Sequence, residues 1–237
     1  MRILEILFVI WNVDVISAGS LTDVNNIYST VLTNYTVDTR PITNQNAVLY
    51  ITTKFHLSSV IKLDEPSGEF AAAGILDLDW TDESLKWDRN NYDGQNEIKI
   101  SSKKVWTPSL VILNPSASSK HLTVDNTKVN VFSDGTVNWL VADVFHTACD
   151  IDITYFPFDI QTCKISLISW NYDVLVQFVP QNLTMNTQYY TENGVWELER
   201  TEILSGTNIT PSAAYVVDFS VVLRRRSTLL SSIFWCQ

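Results

Sequence analysis

Residues Cys149–Cys163 read CDIDITYFPFDIQTC, thirteen residues held between two cysteines. If the pair is oxidised, it staples a short loop where two strands meet. Closing a loop of this length stabilises a fold by roughly 3 kcal/mol in the chain-entropy account. Phe156-Pro157-Phe158-Asp159 sets a proline between aromatic rings, which suits a tight turn with a cis peptide. On spacing alone the two cysteines also fit the generic disulfide of any secreted domain.

Outward from the loop, hydrophobic alternation dominates. Leu49, Ile51, Phe55 and Leu57 alternate with Val48, Tyr50, Lys54 and His56, the period-two pattern of a half-buried strand. Further strand-like runs fall at about 70–80, 99–106, 128–133, 137–146, 163–170, 194–204 and 215–224. Ser133-Asp134-Gly135 is a hairpin turn between two of them. At the front, Ser20 and Asp23 form a capping-box pattern, and Leu21, Val24, Ile27, Tyr28 and Val31 recur at helical spacing. Arg40-Pro41 is expected to end that helix. The fold expected is all-β: an immunoglobulin-like antiparallel β-sandwich with an N-terminal α-helix, built as one domain without repeats or linker.

Composition bounds the function. The net charge of −10 argues against nucleic acid and anionic membrane surfaces, and is compatible with a cationic partner. Residues 1–19 read as a signal peptide, with Arg2, an apolar Ile3–Ile10 core and Ser17-Ala18-Gly19 as small cleavage-site residues. Export suits a disulfide and three glycosylation sequons, at Asn34, Asn182 and Asn208. Asn114-Pro115-Ser116 fails as a sequon because of its proline. No later stretch reaches the run of about 20 apolar residues that a membrane helix needs. The expected location is secreted and extracellular.

Enzyme chemistry finds little support. His56, His121 and His146 are scattered without metal-ligand spacing to the cysteines, and neither a nucleophile elbow nor a Gly-rich phosphate loop is present. Asp77 and Asp79 share one face of a strand, read as a solvated face. No cofactor or metal is expected.

The loop, taken with Lys164 and Ser169-Trp170, resembles the Cys-loop family: the pentameric ligand-gated ion channels and their soluble relatives, the acetylcholine-binding proteins. The likeness runs in order over about residues 20–226. Trp80, Asp82, Leu85 and Trp87 are similar to the family's W-x-D-x-x-L-x-W; Trp106-Thr107-Pro108 to its W-x-P-D, with Ser109 in place of the aspartate; Arg224-Arg225-Arg226 to its basic stop before a first membrane helix. Residues 227–237 form a C-terminal tail containing a spare Cys236.

The resemblance implies a homopentamer whose ligand, a small amine, lies between neighbouring subunits in a cage of aromatic faces. Each desolvated cation–π contact there contributes about 2 kcal/mol or more. Trp170 matches the cage's central tryptophan, on the strand face opposite Cys163, Ile165 and Leu167. Tyr215 matches a hairpin tyrosine but shares parity with Val217, Phe219 and Val221, so a core-facing ring is the other reading. Leu113 stands where the family has a tyrosine and Ile75 where the neighbour's side has a tryptophan; the capping hairpin lacks adjacent cysteines. Asn130, Asn138 and Leu140 fall where relatives line the pocket floor, and Tyr172 is a candidate replacement ring. The expectation is a surviving architecture with weak or absent binding of acetylcholine-like cations. The alternatives are the extracellular domain of a channel subunit, suggested by the receptor-like apolar loop, and a pentameric scaffold without a small ligand. The lack of a membrane-length run favours the soluble form.

Overall fold

The computed structural model describes residues 20–118, 122, 127–170, 175–209 and 214–226. Helix α1 (Leu21–Leu32) precedes strands β1 (Leu49–Asp64), β2 (Glu69–Thr81), β3 (Glu97–Ser101), β4 (Leu110–Ile112), β5 (Lys128–Phe132), β6 (Thr136–Ala148), β7 (Ile160–Ser169), β8 (Val176–Pro180), β9 (Trp196–Ile209) and β10 (Ala214–Arg225). They form a large sheet in the order β3-β5-β6-β2-β1-β8 and a small sheet in the order β4-β7-β10-β9. The two sheets face each other across one apolar core, the expected all-β sandwich with an opening helix.

Alternation along β1 carries over into burial. Leu49, Ile51, Phe55 and Leu57 are buried, while Tyr50, Lys54 and His56 face outward. Phe55 meets Phe145 of the large sheet at 5.1 Å and Phe219 of the small sheet at 5.0 Å between ring centroids, so these rings tie the two layers together. Gly74 is required beneath that cluster: a Cβ there would come within 2.6 Å of the Phe55 ring and 2.9 Å of the His56 carbonyl oxygen. Cys149 and Cys163 are bonded and buried, joining the end of β6 to β7 across the two sheets. The Phe156–Pro157 peptide is cis. The Ser133-Asp134-Gly135 turn joins β5 to β6, with Gly135 at φ 88°.

Four details differ from the sequence reading. The Ser20–Asp23 capping box is present, but α1 stops at Leu32, eight residues before Arg40, because Thr33 is extended and Asn34 takes a left-handed φ of 60°. Leu21, the first helical residue, points into solvent while Ile27 and Val31 are buried. The run at 99–106 is strand only to Ser101; Ser102–Lys104 form a 3-10 turn, pinned where the Ser102 N–H donates to the Thr127 carbonyl at 3.0 Å. Strand β4 escaped the periodicity because three residues are too few to show it, and β8 because it closes on Pro180; β8 pairs parallel with β1, from Leu49↔Val176 to Thr53↔Pro180. Among the described residues every other pairing between these strands is antiparallel, while the isolated bridges His56↔Asn186 and Ser59↔Thr191 are parallel.

Candidate functional site

The proposed ligand residues fall on two different sheets. On the small sheet, Trp170 follows the last residue of β7, and its N–H donates to the Ser109 carbonyl at 3.1 Å. That bond fixes the backbone while the indole stays 63% exposed, unusual for the largest apolar side chain. Leu113, just past β4, is anchored by its N–H to the Ser166 carbonyl at 2.8 Å and is exposed. Tyr215 immediately precedes Val216, which pairs with Ile168, so the register brings it to the Trp170 end of the sheet. Tyr215 is half-buried, whereas Val217, Phe219 and Val221 are fully buried. The tip of the hairpin between β9 and β10, Tyr172, the 1–19 segment and Cys236 lie outside the described residues, and nothing is described of the Asn208 side chain. Asn34 and Asn182 are both exposed.

On the large sheet, Ile75 and Leu140 line one apolar cleft of about 510 Å³ together with His56, Asp77, Asn186 and Tyr189. Ile75 is on β2 and Leu140 on β6, two positions apart diagonally through the Asp77↔Leu140 pair. Asn130 and Asn138 do not line this cleft. They sit opposite each other on β5 and β6, with the Asn130 amide donating to Asn138 Oδ1 at 3.3 Å. Asn138 in turn donates to Asp77 Oδ1 at 2.6 Å and Asp79 Oδ1 at 2.8 Å.

Asp77 and Asp79 therefore do not form a solvated face. Asp77 is buried, and Lys54 Nζ lies 3.4 Å from Asp77 and 3.0 Å from Asp79, with His56 Nε2 3.6 Å from Asp77. Two aspartates in such proximity need a cation and donors, and Lys54 and Asn138 supply them. Burial lowers the Lys54 pKa, but its bonds to Asp79 and Asp77 outweigh that and hold it above the ordinary value. The cleft thus has an apolar body from Ile75, Leu140 and Tyr189, and one end lined by carboxylate and imidazole.

A second constellation lies at the disulfide loop. Arg225 is almost buried and makes a bidentate pair with Asp159, Nε to Oδ1 at 2.7 Å and Nη2 to Oδ2 at 3.0 Å. Its Nη2 also meets Glu65 at 2.8 Å, and the guanidinium stacks 4.3 Å from the Trp196 ring and 5.0 Å from the Phe156 ring. Around this buried pair the loop exposes Ile153, Tyr155, Phe156 and Phe158, with Tyr155 and Phe158 each more than 70% accessible. Arg225 is thus a structural anchor rather than part of a solvated basic run, whereas Arg224 and Arg226 pair at the surface with Glu199 and Glu192.

A third buried acid supports the scaffold. Asp82, fully buried, accepts from the Tyr35 hydroxyl at 2.6 Å and the Ser84 N–H at 2.9 Å, and Tyr35 accepts from the Trp106 N–H at 3.0 Å. Trp80 packs edge-on against Trp106 at 5.7 Å. The tryptophan and aspartate motif at 80–87 is therefore core architecture, and no member of it faces the cleft. Burial raises the Asp82 pKa above the usual carboxylate range; burial, then the Asp82 bond, raises Tyr35 well above the usual phenol value.

Among the described residues no helix is long and apolar enough to cross a membrane. Sequence reasoning missed His56 and Tyr189 as cleft residues, and Asp159 with Arg225 as a pair. An aspartate directly after the aromatic residues of the loop and an arginine at the end of an apolar strand were the signals available for that pair.

The sequence model of the neurotransmitter-gated ion-channel ligand binding domain matches residues 24–227. Neuronal acetylcholine receptor subunit beta-3 of Rattus norvegicus is 30% identical over 188 residues, covering 78% of this chain and 40% of the relative. Subunit alpha-3 of Bos taurus is 30% identical over 175 residues, covering 73% of this chain and 35% of the relative. Subunit alpha-2 of Gallus gallus is 28% identical over 175 residues, 73% of this chain and 33% of the relative. The chain thus spans about two-fifths or less of the length of these relatives. Sandwich, disulfide loop and motif order agree with the match: the chain belongs to the neurotransmitter-gated ion-channel ligand-binding domain family.

Proposed function

We propose that this chain is a secreted, glycosylated ligand-binding module that works as a ring of five identical copies, with a small amine held between neighbours. The supporting observation is the split of the candidate residues. Trp170, Leu113 and Tyr215 belong to the small sheet, whereas Ile75 and Leu140 line a cleft on the large one. Residues on separate sheets of one protomer meet only when a second copy is brought alongside. Trp170 contributes the aromatic face for a cation, and Asp77 at the end of the neighbour's cleft favours a positively charged head.

With Ile75 and Leu113 in place of aromatic rings, acetylcholine-like cations bind weakly. Each missing ring removes about 2 kcal/mol of cation–π attraction, roughly 30-fold in affinity. The test is a tryptophan-fluorescence titration with acetylcholine and nicotine on protein whose mass in solution has been measured by light scattering. Expected are a pentameric mass, a response only toward millimolar ligand, its loss in Trp170→Ala, and about 30-fold tighter binding in Ile75→Trp. A monomer with no response in either the parent or Ile75→Trp would sink the reading.

The exposed Ile153, Tyr155, Phe156 and Phe158 favour a second reading. There the chain is the extracellular part of a channel subunit whose apolar loop rests on a membrane domain. Membrane-fraction recovery of the natural protein distinguishes it from the secreted form.

A further inference from the structure

The loop after α1 carries a sequon that ligand binding does not use. Asn34 is exposed, and its φ of 60° lies in the left-handed region that asparagine tolerates. Its neighbour Tyr35 is held firmly: the N–H donates to the Leu32 carbonyl at 3.3 Å, and the hydroxyl is fixed between Asp82 and the Trp106 N–H. A sugar attached at Asn34 therefore starts from a fixed point rather than from a loose loop tip.

Asn34 is also part of the wall of a polar cleft of about 300 Å³, whose other walls include Thr30, Thr36, Thr39 and Ser84, over buried Val31 and Pro41. The cleft joins three segments distant in sequence: the end of α1, the Arg40–Pro41 loop, and the turn following β2. The hydroxyls of Thr36 and Ser84 bond to no other described residue. The Thr39 hydroxyl donates to the Thr36 carbonyl at 3.2 Å and keeps its acceptor lone pairs. Short alcohols surrounding a small apolar floor match the chemistry of an N-acetylated hexose, which presents hydroxyls, an amide and one methyl group.

We propose that this cleft is the seat of the first N-acetylglucosamine of a glycan on Asn34, packing the sugar between α1 and the two loops instead of leaving it in water. The proposal rests on the reading of the chain as one that passes through the secretory pathway. Covalent attachment presents the sugar at an effective concentration of about millimolar or more. Contacts far too weak to capture a free sugar then suffice, and the seated sugar adds a bridge from α1 to two loops already joined by the Glu83 N–H to Pro41 carbonyl bond at 3.0 Å.

The test uses protein secreted from animal cells: the intact form, a form trimmed enzymatically to a single N-acetylglucosamine, and Thr36→Ala, which destroys the sequon without touching Asn34. Mass spectrometry reads occupancy at Asn34 and Asn182, calorimetry reads Tm, and hydrogen exchange reads residues 30–41. Expected are an occupied Asn34 and a trimmed form melting within about 1 °C of the intact one. Thr36→Ala should melt about 2–4 °C lower, with faster exchange over residues 30–41. Complete removal of glycan by amidase leaves aspartate at position 34, so the treated parent should melt together with Thr36→Ala carrying Asn34→Asp, which assigns the loss to the sugar and not to the threonine. An occupied Asn34 whose complete removal changes neither Tm nor exchange overturns the seat. A bare Asn34 overturns the seat while leaving secretion standing; a chain that never reaches the medium overturns secretion with it.

Discussion

Replacing Arg225 with methionine should cost about 3–5 kcal/mol of stability. The figure follows from what is left behind. Asp159 is 2% exposed, and the substitution removes the two charge-assisted bonds at 2.7 and 3.0 Å that neutralise it, leaving Gln161, which donates at 2.6 Å, as its remaining side-chain donor. Glu65 loses its partner at 2.8 Å, but it is partly solvated and contributes less. Methionine retains much of the packing of the stem against Trp196 and Phe156, so the loss belongs mainly to the orphaned carboxylate. The sign with pH is fixed too. Burial pushes the Asp159 pKa up, yet hydrogen bonds from Arg225 and Gln161 outweigh it and hold it below the usual carboxylate value. A carboxylate depressed in the folded state contributes its full stability above the unfolded value near about pH 4 and loses it as pH falls through the folded one. Urea unfolding at fixed protein concentration, with unchanged m-value, measures all of this. Asp159→Asn in the Arg225→Met background should recover at least about 2 kcal/mol relative to additivity and remove the share of the acid dependence that belongs to this carboxylate. A cost under about 1 kcal/mol for Arg225→Met, or strict additivity with Asp159→Asn, would refute the buried-pair account.

Two further substitutions probe the scaffold. Tyr35→Phe removes the donor to Asp82 and the acceptor for the Trp106 N–H, and should lower stability by about 1–3 kcal/mol in the same urea assay. Asp82 runs opposite to Asp159: its pKa is raised on folding, so its contribution is present below about pH 4 and lost as pH rises through the folded value, and Tyr35→Phe should steepen that loss. Gly74→Ala places a methyl group against the Phe55 ring and the His56 carbonyl, and should cost about 1–3 kcal/mol by overpacking, read as a lower Cm with near-UV circular dichroism altered around the phenylalanines.

The sandwich was legible because β1, β2, β6 and β10 are long enough for period-two burial to repeat several times, and because Ser133-Asp134-Gly135 marks a turn by chemistry rather than by hydrophobicity. Strand β4 was not, since three residues give the alternation no room to repeat, and β8 was not because it closes on Pro180, which argues against a strand. The parallel pairing of β8 with β1 is a long-range choice that no local pattern encodes. The end of α1 was misread for a related reason. Arg40-Pro41 is a strong stop signal, but the helix had already ended at Leu32, where the positive φ of Asn34 turns the chain.

The site was legible in a different way, one residue at a time and without its partners. Trp170 could be placed outward by parity alone, and it is. The fate of Asp77 and Asp79 could not be read, because whether two carboxylates two positions apart are solvated depends on Lys54 and Asn138, which come from the strands on either side. Ile75 pairs across with His56 and Leu140 with Asp77, so the apolar cleft over Ile75 and Leu140 is edged by those two polar side chains. An apolar cleft on one sheet and an exposed indole on the other are each costly in water when alone. Bringing two copies together would cover both at once, which is why the missing aromatic rings at 75 and 113 weigh against a tight grip on a cation but not against assembly. Leu140→Asp separates the two: a charge in the cleft should break the proposed pentamer into smaller species by light scattering, whereas unchanged mass would mean that the cleft serves a ligand alone and lies outside the subunit contact.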